Sequence, residues 1–168
     1  MRYHGLCYLS EDRKNEGVMG RCSVKWNLVA TNMKPIMTGP FISSEKETSN
    51  AQTLVEMLDI RTPTLEQEVF YLSGGNQQKV VVGKWINSDA QVFIFDEPTR
   101  GIDVGAKYAI YLLINQLVEE GKSVIVISSD LPEILGMSDR VIVMRNGRIS
   151  AELTGEQINA NEFIKHAI

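Results

Sequence analysis

Two short strings carry groups that could do chemistry. The first is Val92-Phe93-Ile94-Phe95-Asp96-Glu97, an apolar run ending in two adjacent carboxylates. Read as a buried strand, it delivers Asp96 and Glu97 to the strand's carboxyl end, where open α/β sheets place their ligands. Paired carboxylates there are costly unless something needs negative charge. A divalent cation and an attacking water would use both: Asp96 would hold Mg2+, usually through water, and Glu97 would orient the water or take its proton. An acidic turn after a strand explains Asp96-Glu97-Pro98 equally well.

The second string is Leu72-Ser73-Gly74-Gly75-Asn76-Gln77-Gln78-Lys79. Two glycines let backbone N–H groups approach a ligand, and a helix over 77–86 would aim its positive end at the same point. Together they make an anion site suited to a terminal phosphate, to which Ser73 could add its hydroxyl. For this string alone, a plain turn and helix cap is the simpler account.

The elements that must position these groups follow from periodicity. Gly5 to Ser10 reads as a strand, with a short helix near 24–30. A Ser44-x-x-Glu47 capping box opens a helix over 45–58. Asp103 caps a helix whose apolar face is Ile110, Leu113, Ile114, Leu117 and Val118, closed by Gly121. Ser123 to Ile127 and Arg140 to Met144 read as strands, and Asp130 begins a short helix with Pro132 in its first turn. Asn146-Gly147 predicts a hairpin returning through Ile149 to Leu153. Thr154-x-x-Gln157 caps a helical tail. Continuous apolar strands alternating with helices imply a mostly parallel sheet buried on both faces in a three-layer α/β core. We divide the chain into a core of residues 1–22 and 71–153, a helical subdomain inserted at 23–70, and a tail at 154–168.

The chain has 168 residues, a net charge of -4 and 43% hydrophobic residues. Its length suits one domain, and its acidic balance argues against nucleic acid as a partner. Cys7 and Cys22 form no metal-ligand cluster and read as reduced thiols. His4 and His166 fall outside any motif.

Taken together, LSGGNQQK and, after 16 intervening residues, DEPTRGID resemble the ATP-binding cassette (ABC) family. The first looks like the family signature, Asp96-Glu97 like the Walker B pair, and Gly101-Ile102-Asp103 like the D-loop. Tyr8-Leu9-Ser10-Glu11-Asp12-Arg13-Lys14 and Pro98 to Lys107 sharpen this. They resemble the second cassette of tandem ATP-binding subunits of bacterial monosaccharide importers. The resemblance implies a P-loop NTPase-type core, ATP and Mg2+ as cofactors, and nucleotide contacts from Ser73, Gly74, Gly75, Asn76, Glu11 and Asp103. Asp96 and Glu11 would serve the metal, and Glu97, Asp96 and Ser129 the hydrolysis. Two positions depart from the family pattern. Glu11 stands where the family usually has a Gln, and Ser129 stands where most cassettes have a His, whose proton chemistry a serine lacks.

A Walker A string, G-x-x-x-x-G-K-[ST], is not found. Gly121-Lys122-Ser123 has Gln116 in place of the first Gly and leads into a strand. The resemblance therefore implies the C-terminal part of a cassette lacking the P-loop strand and helix, with a gap between strands 123–128 and 140–144. We expect such a chain to close the gap, swap elements or self-associate. The implied partners are a second cassette, in the same intact chain or a dimer, a transmembrane permease and, indirectly, a sugar-binding protein. The site would lie on the cytoplasmic side of the membrane. A lobe that only completes a partner's ATP site and docks the permease, without hydrolysis, is the alternative. A chromosome-maintenance or repair ATPase lobe fits poorly, since no heptad coiled coil precedes the signature.

Overall fold

Residues 5–167 are described in a computed structural model of the chain, so His4 lies outside the described residues. Three runs rich in β-branched and aromatic residues form a parallel sheet in the order β1-β4-β5: β1 is Leu6–Leu9, β4 is Val92–Asp96 and β5 is Ser123–Ile127. The register pairs Leu9 with Phe95, and Asp96 with Ile127, so the three carboxyl ends share one edge.

Side chains alternate across this sheet. Cys7, Leu9, Phe93 and Phe95 are at most 1% exposed, whereas Tyr8, Ile125 and Ile127 on the other face are 38%, 51% and 48% exposed. The covered face packs against α3 (Gly74–Ile86) and α4 (Val104–Glu119), which also touch each other. The expectation of strands buried on both faces is therefore corrected. Within this unit, α3 and α4 cover one face of the sheet.

Between β1 and α3 lie α1 (Val24–Val29), the two-residue strands β2 (Met37–Thr38) and β3 (Phe41–Ile42), and α2 (Ser44–Met57). The N-cap of α2 is Ser43, whose hydroxyl accepts from the Lys46 amide at 3.4 Å, one residue before the expected capping box. The two ends of this stretch meet: Val24 N–H donates to the Gln67 carbonyl at 2.9 Å and Val69 N–H to Cys22 at 3.2 Å. Asn27, fully buried, supplies the local polar anchor. Its carbonyl accepts from the Met19 amide at 2.8 Å, and its amide donates to the Met19 and Ser23 carbonyls at 3.0 Å. Helix α1 packs on both α2 and α3.

The chain divides into two compact units, Met1–Ile127 and Ser128–Ile168, where the length suggested one. The second holds α5 (Leu131–Met137), the hairpin of β6 (Arg140–Arg145) and β7 (Arg148–Thr154), and α6 (Ala160–Ala167). Its turn is at Asn146 and Gly147, with φ of 51° and 73°, as the Asn-Gly dipeptide demands. Val141, Val143 and Leu153 form its own small core, with Ile134, Ile158 and Phe163 against it. Among the described residues, β6 pairs with β7 alone and β5 with β4 alone. The expected Thr154–Gln157 capping box is formed, on a 3-10 turn ahead of α6. No helix among the described residues is long and apolar enough to cross a membrane.

The tightest helix contact in the first unit is at Gly83, where a Cβ would stand 2.6 Å from Leu28 Cδ2 and 2.8 Å from Leu58 Cδ1. Gly83→Ala is expected to destabilise the protein by about 1–3 kcal/mol through overpacking. Urea unfolding checks it; a midpoint equal to that of the parent would show that α1 does not pack this closely.

Candidate functional site

Because the sheet is parallel, the residues that follow each strand gather at one edge. Asp96 ends β4, and the Tyr8 hydroxyl from β1 donates to its Oδ2 at 2.5 Å. Glu97 follows in a left-handed backbone, φ 47°, with its N–H bonded to the Ile127 carbonyl at 2.8 Å. That conformation is unfavourable for a residue with a side chain and persists only where surroundings enforce it. Here the β5 carbonyl at one end and a turn closed by Arg100 N–H to Glu97 carbonyl, 3.1 Å, at the other do so. Glu11, just beyond β1, is ion-paired with Arg100 at 2.6 Å. Among the described residues no three His, Cys, Asp or Glu side chains cluster as metal ligands. A Mg2+ ion held mostly by water and phosphate needs only one or two carboxylates, which Asp96 or Glu11 could supply.

The glycine string lies beside the same loop. Helix α3 begins at Gly74, three residues earlier than the pattern suggested, so the glycines are its first turn. Ser73 is the N-cap: its hydroxyl oxygen accepts from the Asn76 amide N–H at 3.5 Å and from Asn76 Nδ2 at 3.0 Å. Asn76 Oδ1 in turn accepts from the Arg61 amide at 2.8 Å. Buried Gln77 donates to the carbonyls of Val69, Phe70 and Leu72 at 3.2–3.3 Å, which fixes the approach to Ser73. Ser73 is exposed, Gly74 half-buried and Gly75 buried. The Gly74 and Gly75 amides, first in the helix, have no intrahelical acceptor.

Each glycine is required by a neighbour. A Cβ on Gly75 would lie 2.8 Å from Ala106 Cβ, in the first turn of α4. A Cβ on Gly74 would lie 2.6 Å from Arg13 Nη2 and 3.5 Å from the Gly101 carbonyl. Asp103 caps α4 as expected, accepting from the Ala106 amide at 2.9 Å. The structure thus brings Ser73, Gly74, Gly75 and Asp103 to one place, and Glu11, Asp96 and Glu97 to the strand ends. Ser129 belongs to the second unit, exposed, between β5 and α5. Asp130 is the N-cap residue of α5 without a capping side-chain bond; its own N–H donates to Ser128 Oγ at 3.0 Å. His166 lies 3.7 Å from Glu162 in α6 and enters no site. Val118, expected on the apolar face of α4, is 47% exposed.

Three residues escaped the sequence reading: Tyr8, Arg13 and Arg100. Alternation along β1 could have put Tyr8 on the Asp96 face, but pairings 87 to 89 residues apart leave no local trace.

The bond to Asp96, with some desolvation and that carboxylate's charge adding, raises the Tyr8 phenol above its ordinary value of 10. The bond's contribution is complete below the ordinary value and is lost as pH rises through the raised one. Ultraviolet titration of the parent against Asp96→Asn should show one phenol titrating at lower pH in the variant. Superimposable titrations of the two proteins would contradict the Tyr8–Asp96 bond.

Comparison with known proteins places this arrangement. The ABC transporter family matches residues 8–100. The xylose import ATP-binding protein XylG of Thermoanaerobacter pseudethanolicus is 48% identical over 161 residues, covering 96% of this chain and 32% of that protein. The ribose import ATP-binding protein RbsA of Clostridium perfringens is 48% identical over 167 residues, covering 98% and 33%. The chain spans about a third of the length of the curated relatives it matches. Among solved structures, a nucleotide-free ATP-binding cassette from an ABC transporter superposes with a TM-score of 0.76 at 23% identity, over 95% of this chain and 65% of that one. A dimeric cassette bound to ADP and Pi in a post-hydrolysis state gives 0.73 at 19%, over 89% and 62%. At those identities the likeness speaks for the fold alone. By its signature helix, its acidic strand end and the match over residues 8–100, the chain belongs to the ABC transporter family.

Proposed function

We propose that this chain is the C-terminal part of the second cassette of a tandem ATP-binding subunit in a sugar importer, and that it completes the ATP site of a partner cassette. The observation that carries the reading is the start of α3: Ser73 is exposed and Gly74 half-buried, while Gly75 is packed away. A phosphate brought by another lobe would find the Ser73 hydroxyl, the first N–H of α3 and the positive end of a thirteen-residue helix. The import ATP-binding proteins at 48% identity support a sugar as cargo.

In this reading ATP binds with Mg2+, which supplies charge neutralisation of the phosphates when present. Asp96 and Glu11 are its candidate ligands, and Glu97 orients the attacking water of this cassette's own site. The P-loop for that site would come from chain outside the 168 residues. Closure on ATP would move the stretch 23–70 and the Glu11–Asn27 region, where the permease would dock, on the cytoplasmic side of the membrane. The sugar-binding protein acts through that permease.

A second reading has specific support: a lobe that completes the partner's site without hydrolysing ATP at its own. Ser129 cannot shuttle protons as an imidazole does, and Glu11 and Asp96 already have partners in Arg100 and Tyr8. Calorimetry of Mg-ATP with the 168-residue chain is expected to show no tight binding; a micromolar site would contradict a shared P-loop-dependent site.

The test of the main reading uses the full-length protein with its permease. Ser73→Arg puts a bulky side chain at the phosphate approach and should lower ATPase activity at least tenfold. Loss of the N-cap should cost only about 1 kcal/mol, a fall of about 2–4 °C in Tm. Parent-level ATPase in a folded variant would exclude this role for α3.

A further inference from the structure

We infer that Arg13 is a positioning residue that fixes the signature turn at the start of α3 against the loop 97–103, so that the two move as one body. Its guanidinium lies between them. Nη1 donates to the Arg100 carbonyl at 3.3 Å and Nη2 to the Gly101 carbonyl at 3.5 Å. Nη2 also occupies the space a Cβ would need on Gly74, 2.6 Å away. The Nε is buried and has no protein partner, so the planar head is held by shape and by the two carbonyls rather than by a carboxylate.

Arg13 is itself anchored from behind. It opens a π-helical turn, Arg13–Gly17, whose Asp12 cap accepts from the Asn15 amide at 3.1 Å. Gly17 at its far end is pressed against α3, 3.0 Å from Val81 Cγ2 to a built Cβ, and its carbonyl accepts from Lys84 Nζ. The Glu11–Arg100 ion pair ties the same loop to the same stretch of chain. Side-chain exposures of 49% and 67% make that pair a weak tether. A lysine carries its three N–H donors on one nitrogen and lacks the planar fork that reaches two carbonyls from separate nitrogens.

The consequence concerns the reaction and rests on the function proposed above. Glu97 begins the loop that Arg13 holds, and Ser73 precedes the helix that Arg13 holds. A phosphate arriving at Ser73 would thereby set the position of 97–103, without Arg13 touching nucleotide.

The experiment is amide hydrogen exchange and steady-state ATPase on the full-length protein with its permease, for Arg13→Gln and Gly74→Ala. Gly74→Ala reaches the same contact from the other side, because its methyl must displace the tip of the Arg13 side chain. Both variants should exchange at least tenfold faster at 99–102, with the β1, β4 and β5 amides unchanged. Arg13→Gln should also lower kcat about tenfold while KM for ATP stays within threefold. Unchanged exchange at 99–102 in either folded variant overturns the proposal, as does faster exchange with kcat at the parent level. A Ser73→Arg protein with full ATPase would remove the proposed function instead, and the exchange of Gly74→Ala would then decide the Arg13 bridge by itself.

Discussion

The first turns of α3 and α4 meet at a distance no side chain tolerates. Gly75 faces Ala106 with room for a hydrogen atom and nothing larger, since a Cβ there would lie 2.8 Å from the alanine methyl. Everything at the site depends on that contact. It brings the Asp103 cap of α4 next to the Ser73 cap of α3 and leaves the outer side of Gly74 facing Arg13 and the Gly101 carbonyl. The glycine doublet is therefore two separate requirements, one of helix packing and one of access for a guanidinium. Ligand approach, the reason first assigned to both glycines, accounts for neither of them completely. What remains open towards solvent is the Ser73 hydroxyl and the half-buried Gly74.

Parallel strand order does the rest. With Leu9 beside Phe95 and Asp96 beside Ile127, three loops leave the sheet at one edge. Carboxylates gathered there repel one another unless matched. Tyr8 gives Asp96 a proton donor, and Arg100 gives Glu11 a cation. Both contacts use side chains from neighbouring strand ends, so the sheet supplies the site's electrostatic balance as well as its geometry.

How far the sequence could be read depended on the range of the interaction. Caps and turns are local, and Asp103, the Asn146-Gly147 hairpin and the Thr154–Gln157 box were all legible. Ser43 and Ser44 differ only by which one precedes the first helical amide, a choice that patterning over 44–58 cannot make. The run Val124 to Ile127 is apolar throughout, so alternation gave no sign that Ile125 and Ile127 would face outward; what covers a sheet face is a property of other elements. The family was legible because two glycines, two carboxylates and an aspartate cap recur in a fixed order. The site's internal wiring was not: Arg13 reaches Gly101, and Glu11 reaches Arg100, across more than eighty residues of chain.

The buried polar side chains explain how irregular backbone can be rigid here. Asn27 satisfies the amide and carbonyl of Met19, and Gln77 satisfies three carbonyls ahead of Ser73, in regions where no strand or helix could pair them. An unpaired buried carbonyl costs about 1–3 kcal/mol, a cost that Gln77 removes at the buried Val69 carbonyl. Lys84 does the same for Gly17, although burial lowers its pKa and disfavours its charge. These anchors hold both ends of the stretch that carries Arg13 against α3. A displacement of that stretch would have to carry the signature turn and the loop 97–103 with it, or break the bonds that Arg13 and Lys84 make across to them.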